Sequence, residues 1–187
     1  MRRWKLKLSL LLLVLTAAQL SYNEVIWDQE SKLDWTDFNH SHKNDHYAAL
    51  TASGISFSYT AKETTYDIEV FAVFDRDESW VNTKKASPKL LKHEQLHFDI
   101  TELWTRKLRK AITHAEYIDD GVLNDLYDEH LQGLAKMQAF YDEESHHSLN
   151  RDMQKAWEEG VIKELNKLAA YQSTLVIKMR PVIVQGG

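Results

Sequence analysis

The chain of 187 residues contains no cysteine, which excludes a disulfide framework and a lipid-modified cysteine behind a leader segment. Its 23 lysines and arginines are outnumbered by 28 acidic residues, so it has little of the excess positive charge that phosphate recognition requires. The formal net charge is −5, and a surface of this sign argues against nucleic acid and anionic lipid as partners. Hydrophobic residues make up 43% of the sequence, so the chain can build an ordinary core, which must hold without cross-links.

Long apolar runs are missing as well. The apolar stretch at residues 8–18 has about half the length that a membrane-spanning helix requires. It follows the basic residues 1–7 and ends in small residues of the kind that precede a signal-peptidase site. The pattern predicts a cleaved signal peptide at residues 1–18, with an uncleaved anchor as the alternative. The mature chain, residues 19–187, is then a single domain without a stable membrane span, exported to the periplasm or the extracellular space.

Two segments in the first half alternate between apolar and polar residues and are rich in β-branched and aromatic types, the pattern of half-buried strands. They cover residues 54–59 and 66–74, and residues 61–64 predict the turn between them. We therefore expect an antiparallel pair. Upstream, residues 32–35 predict a short edge strand, and residues 39–45 predict a polar loop.

The second half has the three- and four-residue spacing of amphipathic helices. Ser87 can cap the first helix, Pro88 fits its first position, and residues 119–121 end it. The apolar stripes predict one helix through Leu96, Ile100, Leu103, Trp104, Leu108, Ala111, Ile112 and Ala115, a second through Leu123, Leu126, Tyr127, Leu131, Leu134, Met137 and Tyr141, and a third through Met153, Trp157, Val161, Leu165 and Leu168. Residues 174–184 predict a final strand or a packed arm. The expected fold class is α+β, a small antiparallel sheet followed by three amphipathic helices.

The first helix carries the string His93-Glu94-Gln95-Leu96-His97. Because successive helical residues advance by about 100°, His93 and His97 lie about 40° apart around the axis and one turn apart along it, so both imidazoles can bind one ion. Glu94 lies on the adjoining face, where its carboxylate can act on water beside the metal. The pattern predicts a catalytic zinc site with His93 and His97 as ligands and Glu94 as general base.

A catalytic zinc site needs a third protein ligand. Asp99 and Glu102 point too far around the first helix to share the ion. The residues alone leave open His114, His130 and the run Asp142-Glu143-Glu144-Ser145-His146-His147. The lengths of the first two helices favour the region of His146 and His147, because an antiparallel second helix returns the chain to the metal there.

Several of these strings occur together in one known family. The chain resembles family 922 of bacterial domains of unknown function, whose members are described as predicted secreted zinc-dependent proteases. The resemblance extends over residues 33–157 and rests on Leu33-Asp34-Trp35-Thr36-Asp37-Phe38, Ser53-Gly54-Ile55-Ser56-Phe57-Ser58-Tyr59, Ser79-Trp80-Val81, His93-Glu94-Gln95-Leu96-His97-Phe98-Asp99-Ile100, Tyr141-Asp142-Glu143-Glu144-Ser145-His146-His147, and Gln154 with Trp157. It implies a zincin-like metallopeptidase arrangement. It also aligns the family's second histidine with His147, the implied third ligand ahead of His146, Glu143 and Glu144.

The chain departs from the family pattern at three positions. Leu96 stands where the family usually has glycine, Ser145 replaces threonine, and Ser148 replaces the final glycine. Ser145 keeps the hydroxyl group, whereas Leu96 either narrows the cleft or packs in the core. The resemblance supplies no substrate.

The motif and the resemblance together predict an exported zinc metallopeptidase that acts on a peptide or protein. Zinc activates the attacking water and polarises the scissile carbonyl, Glu94 serves as general base, and Tyr141 is expected to donate a hydrogen bond to the developing oxyanion. Asp142 is expected to orient a ligand histidine as a hydrogen-bond acceptor. The alternatives are a non-catalytic zinc-binding module of the cell envelope and a helical interaction domain with an accidental motif.

Overall fold

The computed structural model describes residues 23–40 and 47–179, so the predicted signal peptide lies outside the described residues. In chain order the strands and α-helices are β1 (Glu24–Ile26), β2 (Asn39–His40), β3 (Ala49–Leu50), β4 (Ser53–Ala61), β5 (Thr65–Asp75), β6 (Trp80–Val81), α1 (Pro88–His114), α2 (Asp120–Ser145), α3 (Arg151–Lys167) and β7 (Leu175–Met179). The fold class is α+β, as the sequence predicts.

Four strands form a large antiparallel sheet around β5. β4 follows one edge of β5 from the pair Ser53↔Phe74 to the pair Ala61↔Tyr66, and β1 and β7 pair with the two ends of the other edge. Residues of β5 alternate between buried and more exposed positions, because a pleated strand directs successive side chains to opposite faces. The predicted antiparallel pair is confirmed, and a final strand is present at residues 175–179.

A smaller sheet of two-residue strands provides one part of the site. β6 lies at its centre, parallel to β2 and antiparallel to β3. β3 is therefore an edge strand within the part of the chain that the structure describes. Of the predicted polar loop at residues 39–45, the first two residues form β2 and the rest lie outside the described residues.

The prediction of a short strand at residues 32–35 is wrong. The Asp34 carboxylate accepts a hydrogen bond from the N–H of Thr36 at 3.0 Å, and the Asp37 carboxylate accepts one from the N–H of Asp34 at 2.8 Å. This reciprocal cap starts a 3-10 turn at Trp35. Side chains of this kind compete with strand pairing for backbone donors.

The helices begin at the signals that the sequence provides. The Ser87 hydroxyl accepts a hydrogen bond from the N–H of Leu90 at 3.2 Å, and Pro88 opens α1. A connection of five residues leads to α2, where the Asp119 carboxylate accepts the N–H of Val122 at 2.8 Å. This short connection makes α2 run antiparallel to α1 and returns its last turn to the first turns of α1. No helix among the described residues is both long and apolar enough to cross a membrane.

The core lies on both sides of α1. The main cluster joins the large sheet to the helices and includes Ile55, Ile68, Val70, Leu96, Ile100, Leu103, Leu108, Ile112, Leu134, Tyr141 and Val161. A second cluster joins the small sheet to β5 and α1 and includes Leu33, Phe38, Ala72, Phe74, Val81 and Phe98. Leu96 belongs to the main cluster and is 3% exposed, so it packs in the core, and it does not line the cleft into which His93 and His97 open.

A buried ion cluster holds α1 against β5. Arg109, which is 2% exposed, donates to the main-chain carbonyl of Val70 through Nε at 3.0 Å and Nη2 at 2.7 Å, and Nη1 lies 2.9 Å from Oε1 of Glu102. Arg106 Nε donates to the same Glu102 oxygen at 2.8 Å. Two guanidinium groups share one carboxylate, and main-chain carbonyls of Val70 and Leu165 accept further hydrogen bonds from them, so no charge in this cluster lacks a hydrogen-bond partner. The cluster fixes the height and rotation of α1, and with them the direction in which its first turns point.

Candidate metal centre

The first turns of α1 bring two histidines together. His93 is 2% exposed, and the side chain of His97 is 12% exposed. Their Nε2 atoms lie 3.3 Å apart, and the two rings are almost perpendicular, at 86°. The one-turn spacing expected from the sequence is therefore realised with both Nε2 atoms directed to one point.

Asp142, in the last turn of α2, is the third member of the cluster. Its Oδ1 lies 3.1 Å from Nε2 of His93 and 3.1 Å from Nε2 of His97. Among the described residues, these three side chains form a group that could hold a metal ion. A tetrahedral zinc ion with bonds of about 2.1 Å would hold its ligand atoms about 3.4 Å apart. The observed separations are close to this value, so one ion can bind all three atoms.

The far side of the His93 ring determines which nitrogen carries the proton. Nδ1 of His93 lies 3.2 Å from Oε1 of Gln154. The Gln154 amide is oriented by two other partners, since its nitrogen donates to Glu158 at 3.0 Å and its oxygen accepts the Tyr141 hydroxyl at 2.7 Å. Nδ1 therefore faces an acceptor and carries the proton. In the neutral ring, Nε2 is left with a lone pair.

His97 is held in the same way by a residue of α2. Its Nδ1 is hydrogen-bonded to Oε1 of Gln138, and the Gln138 amide nitrogen donates to the main-chain oxygen of His97 at 2.9 Å. With both imidazoles neutral, two Nε2 lone pairs and one Asp142 carboxylate oxygen meet with no proton between them. Such a set of donors is stabilised by a cation at its centre.

The pKa shifts of the cluster also indicate that it stabilises a cation. Burial lowers the pKa of His97, but the contact with the Asp142 carboxylate and the negative charges of Glu94 and Asp142 outweigh burial and raise that pKa above its usual value. Burial raises the pKa of Asp142, but the imidazoles of His93 and His97, 3.1 Å away, hold that pKa far below its usual range. The site thus stabilises positive charge, which either a metal ion or an additional proton supplies.

Glu94 lies next to this cluster but does not belong to it. The side chain is buried, at 3% exposed, and its Oε2 accepts a hydrogen bond from the Thr51 hydroxyl at 2.7 Å. Its charge is close enough to raise the pKa of His97, yet it is not in the group of candidate ligand atoms. This position suits a base beside a metal better than a ligand.

The cluster opens into a cleft of about 1130 Å³. The lining comes from three parts of the chain: residues 47–51, which include β3; the first turns of α1; and the end of α2 with the loop that follows. The two histidines, Glu94 and Asp142 all line it. A more apolar cavity of about 530 Å³ is lined by the other face of α1 and contains none of these four groups. The candidate chemistry therefore faces the larger opening.

The predicted third ligand, His147, is not in the candidate ligand group. Its Nδ1 lies 3.3 Å from Oδ1 of Asp142, and its side chain is 55% exposed. α2 ends at Ser145, and His146, His147 and Ser148 all have positive φ, of 47°, 49° and 75°. This left-handed turn leaves His147 in contact with the Asp142 carboxylate. The structure therefore places Asp142, and not His147, in the group that could hold an ion.

The other candidates for the third ligand are also outside the group of candidate ligand atoms. His146 and Glu143 are exposed, and Glu144 accepts a hydrogen bond from the Trp157 indole at 2.9 Å. His130 is buried on α2 and its Nδ1 donates to the main-chain oxygen of Leu126 at 2.7 Å, as a core histidine does. His114, at the far end of α1, is hydrogen-bonded to Tyr171 at 2.8 Å.

Tyr141, the predicted oxyanion donor, is not among the residues that line the cleft. Tyr141 is fully buried, its hydroxyl donates to Gln154 at 2.7 Å, and its ring stacks on the His93 ring with centroids 4.6 Å apart. Burial and the nearby negative charges of Glu94 and Asp142 raise its pKa well above the usual range. Tyr141 therefore supports a ligand from behind and does not face the cleft.

Asp142 was left open as a third ligand only within the run of residues 142–147, and was otherwise expected to orient a ligand histidine. Three further contributing residues were not identified in their roles. Gln138, which lies four residues before Asp142 on the same face of α2, was not singled out. Gln154 was noted only as part of the resemblance. Thr51 gave no signal, because it is 43 residues from Glu94 and belongs to a connection between strands.

Comparison with protein families, curated proteins and solved structures found no match for the chain. The resemblance to family 922 and its implied activity therefore stay predictions.

Proposed function

We propose that this protein is an exported zinc metallopeptidase in which His93, His97 and Asp142 bind zinc and Glu94 is the general base. The observation that carries the proposal is the convergence of three donor atoms, 3.1 to 3.3 Å apart, beside a buried glutamate in a cleft. The arrangement is zincin-like, since both histidines and the base come from one helix. The leader pattern of residues 1–18 supports export.

The chain's own residues can carry the proton transfers of amide hydrolysis. Zinc in this donor set would lower the pKa of a bound water to about 7 and polarise the substrate carbonyl. Glu94 accepts the proton that the attacking water loses as its oxygen bonds to the carbonyl carbon. The same proton then passes to the amide nitrogen, which leaves as an amine when the C–N bond breaks. Every atom and charge is accounted for by water, Glu94 and the substrate.

The cleft favours a peptide over a small metabolite. Its volume of about 1130 Å³ is above the range of about 300–1,000 Å³ typical of small-molecule pockets. β3 lines it as an edge strand of the small sheet among the described residues, so backbone donors and acceptors are available to an extended chain. A peptide laid along β3 would lie in the same cleft as His93, Glu94, His97 and Asp142.

The position of Glu94 favours hydrolysis over two alternative functions of the same three ligands. Two histidines and one carboxylate can hold iron(II) in oxygenases, and the same three ligands could serve a non-catalytic zinc module. Neither rival needs a buried carboxylate that is adjacent to the cluster and outside the ligand group. We therefore favour zinc and hydrolysis, and elemental analysis of the metal that the purified protein carries separates zinc from iron.

The proposal is tested with Glu94→Gln, which keeps the size of the side chain and removes the base. Hydrolysis of a defined peptide mixture should fall by roughly two to four orders of magnitude, while zinc content stays near one ion per chain. Glu129→Gln, at an exposed position of α2, is the matched control and should keep wild-type activity. Unchanged hydrolysis by Glu94→Gln would overturn the assignment of the base, and hydrolysis that persists after zinc is removed would overturn zinc catalysis.

A further inference from the structure

Thr51 makes a direct contact with the proposed base. It lies in the two-residue connection between β3 and β4, and its Oγ1 is 2.7 Å from Oε2 of Glu94. The same Oγ1 is 3.3 Å from the main-chain oxygen of Glu94. A hydroxyl has one proton to donate, and the shorter distance together with the negative charge directs it to the carboxylate.

The backbone around Thr51 is held independently of α1. The N–H of Ala52 donates to the hydroxyl of Ser79 at 2.9 Å, and Ser79 is fully buried. On the other side, the main-chain oxygen of Ala48 accepts the N–H of Asn82 at 2.9 Å. Because both flanks are tied to β6 and its neighbours, Thr51 presents its hydroxyl from a fixed position.

The contact selects one orientation of the Glu94 carboxylate. Oε2 is engaged by Thr51, and among the described residues no other hydrogen bond to this carboxylate is present, so Oε1 is left for the attacking water. A base must lie within hydrogen-bond reach of the proton that it abstracts, and a glutamate side chain has several rotatable bonds through which that geometry can be lost. One fixed donor on Oε2 limits this loss.

We propose that Thr51 is a positioning residue that holds Glu94 in the orientation needed for proton transfer. The inference rests on the proposed function, because it assigns Thr51 a role in the same reaction. It predicts that removing the hydroxyl slows turnover without weakening zinc or substrate binding, and that a hydroxyl alone is sufficient at this position.

Thr51→Val tests this role, because valine keeps the branched shape and lacks the hydroxyl. Turnover should fall by roughly 10- to 100-fold, the range seen when a residue that orients a catalytic group is lost, with KM within about twofold of wild type. Thr51→Ser restores the hydroxyl and should stay within about threefold of wild type. Thr113→Val is the matched control, since it removes a hydroxyl that donates to a main-chain oxygen at 2.7 Å near the far end of α1. It should keep wild-type turnover.

A double-variant cycle separates positioning from a general effect on the fold. If Thr51 acts through Glu94, Thr51→Val has no further effect on the residual turnover of Glu94→Gln. An equal loss in both backgrounds, or wild-type turnover of Thr51→Val, overturns the positioning role while leaving the metallopeptidase intact. A wild-type protein without hydrolytic activity overturns the proposed function and this role with it. Zinc content measured on each variant shows whether the metal centre itself was disturbed.

Discussion

Nδ1 of His147 lies 3.3 Å from Oδ1 of Asp142, so an exposed imidazole contacts the carboxylate oxygen that meets both helix histidines. The contact comes from the cleft, which both side chains line. A partner of this kind restrains the carboxylate without taking its place, as residues that surround metal ligands commonly do. The two side chains therefore have separable roles, and their substitutions should have unequal effects on metal binding.

Asp142→Asn should weaken zinc binding by more than about 100-fold, because the amide keeps the shape of the side chain but loses the charge, whereas His147→Ala should cost about tenfold at most. His93→Ala and His97→Ala should each abolish tight binding. Zinc content after dialysis against a chelator measures all four, with Asp152→Asn, at an exposed position of α3, as control. Full zinc retention in Asp142→Asn together with complete loss in His147→Ala would restore His147 as the third ligand.

Zinc affinity should decrease as pH falls, and the decrease should begin above pH 6.5, since the pKa of His97 in the metal-free protein is raised above this usual value. The sign follows from competition, because a proton on Nε2 of His97 must leave before the metal binds. In Asp142→Asn the contribution of the carboxylate is lost while burial and the charge of Glu94 remain, so the pKa of His97 falls and the remaining affinity should hold to lower pH. Titrations of zinc between about pH 8 and pH 5 measure both. Affinity that is independent of pH over this range contradicts the prediction.

Ser148→Gly should stabilise the protein by about 1 kcal/mol, because an L-residue is strained in the left-handed region and glycine is not. Ser148 has a φ of 75°. Thermal or denaturant unfolding measures the effect, which corresponds to about 2–4 °C in Tm for a chain of this size. Leu149→Gly, at the next residue and 77% exposed, is the control and should lower stability. A Ser148→Gly variant that is no more stable than wild type would show that the turn is not strained.

Gly133→Ala should destabilise the protein by about 1–3 kcal/mol, although alanine is usually the better helix residue. A Cβ atom at this position of α2 would overlap the six-membered ring of Trp104 on α1. Gly160→Ala in α3 is the matched control, because a Cβ atom there meets nothing within 4 Å, and it should stabilise by up to about 1 kcal/mol. Opposite signs of the two changes in unfolding free energy are expected, and the same sign for both contradicts the close packing of α1 and α2.

Local signals in the sequence account for most of the fold. The cap at Ser87 and Pro88, the helical stripe behind them and the alternation of β4 and β5 each depend on neighbouring residues, and all are present in the structure. The strand expected at residues 32–35 failed for the same reason, since the Asp34 carboxylate bonds to a backbone N–H two residues away. The left-handed backbone of Ser148, with φ of 75°, has no such local signal, because serine does not favour this conformation.

The side chain that meets the two histidines was harder to predict, because its identity depends on the rotation of α2 and not only on its length. Matching helix lengths correctly returned α2 to the histidines, and the residue that the structure places beside their Nε2 atoms is Asp142, five residues before His147. Asp142 lies on the same face of α2 as Gln138, and this face points toward α1. His147 lies beyond the end of α2, after a turn whose direction the local sequence does not determine. The contact between Thr51 and Glu94 depends on how the two sheets pack against α1, which is a property of the tertiary structure alone.

The glutamine side chains that hydrogen-bond to the two histidines can position them before a metal ion binds. Gln154 and Gln138 hold His93 and His97 through hydrogen bonds within the protein. The packing of the core around α1 does not involve a metal ion. The fold can therefore be complete before an ion arrives, unlike small domains that fold around their zinc. A chelator would remove the proposed zinc ion and abolish hydrolysis without unfolding the protein. Reloading would need only the release of a proton and passage through the cleft, so the loss is reversible on the timescale of ion exchange.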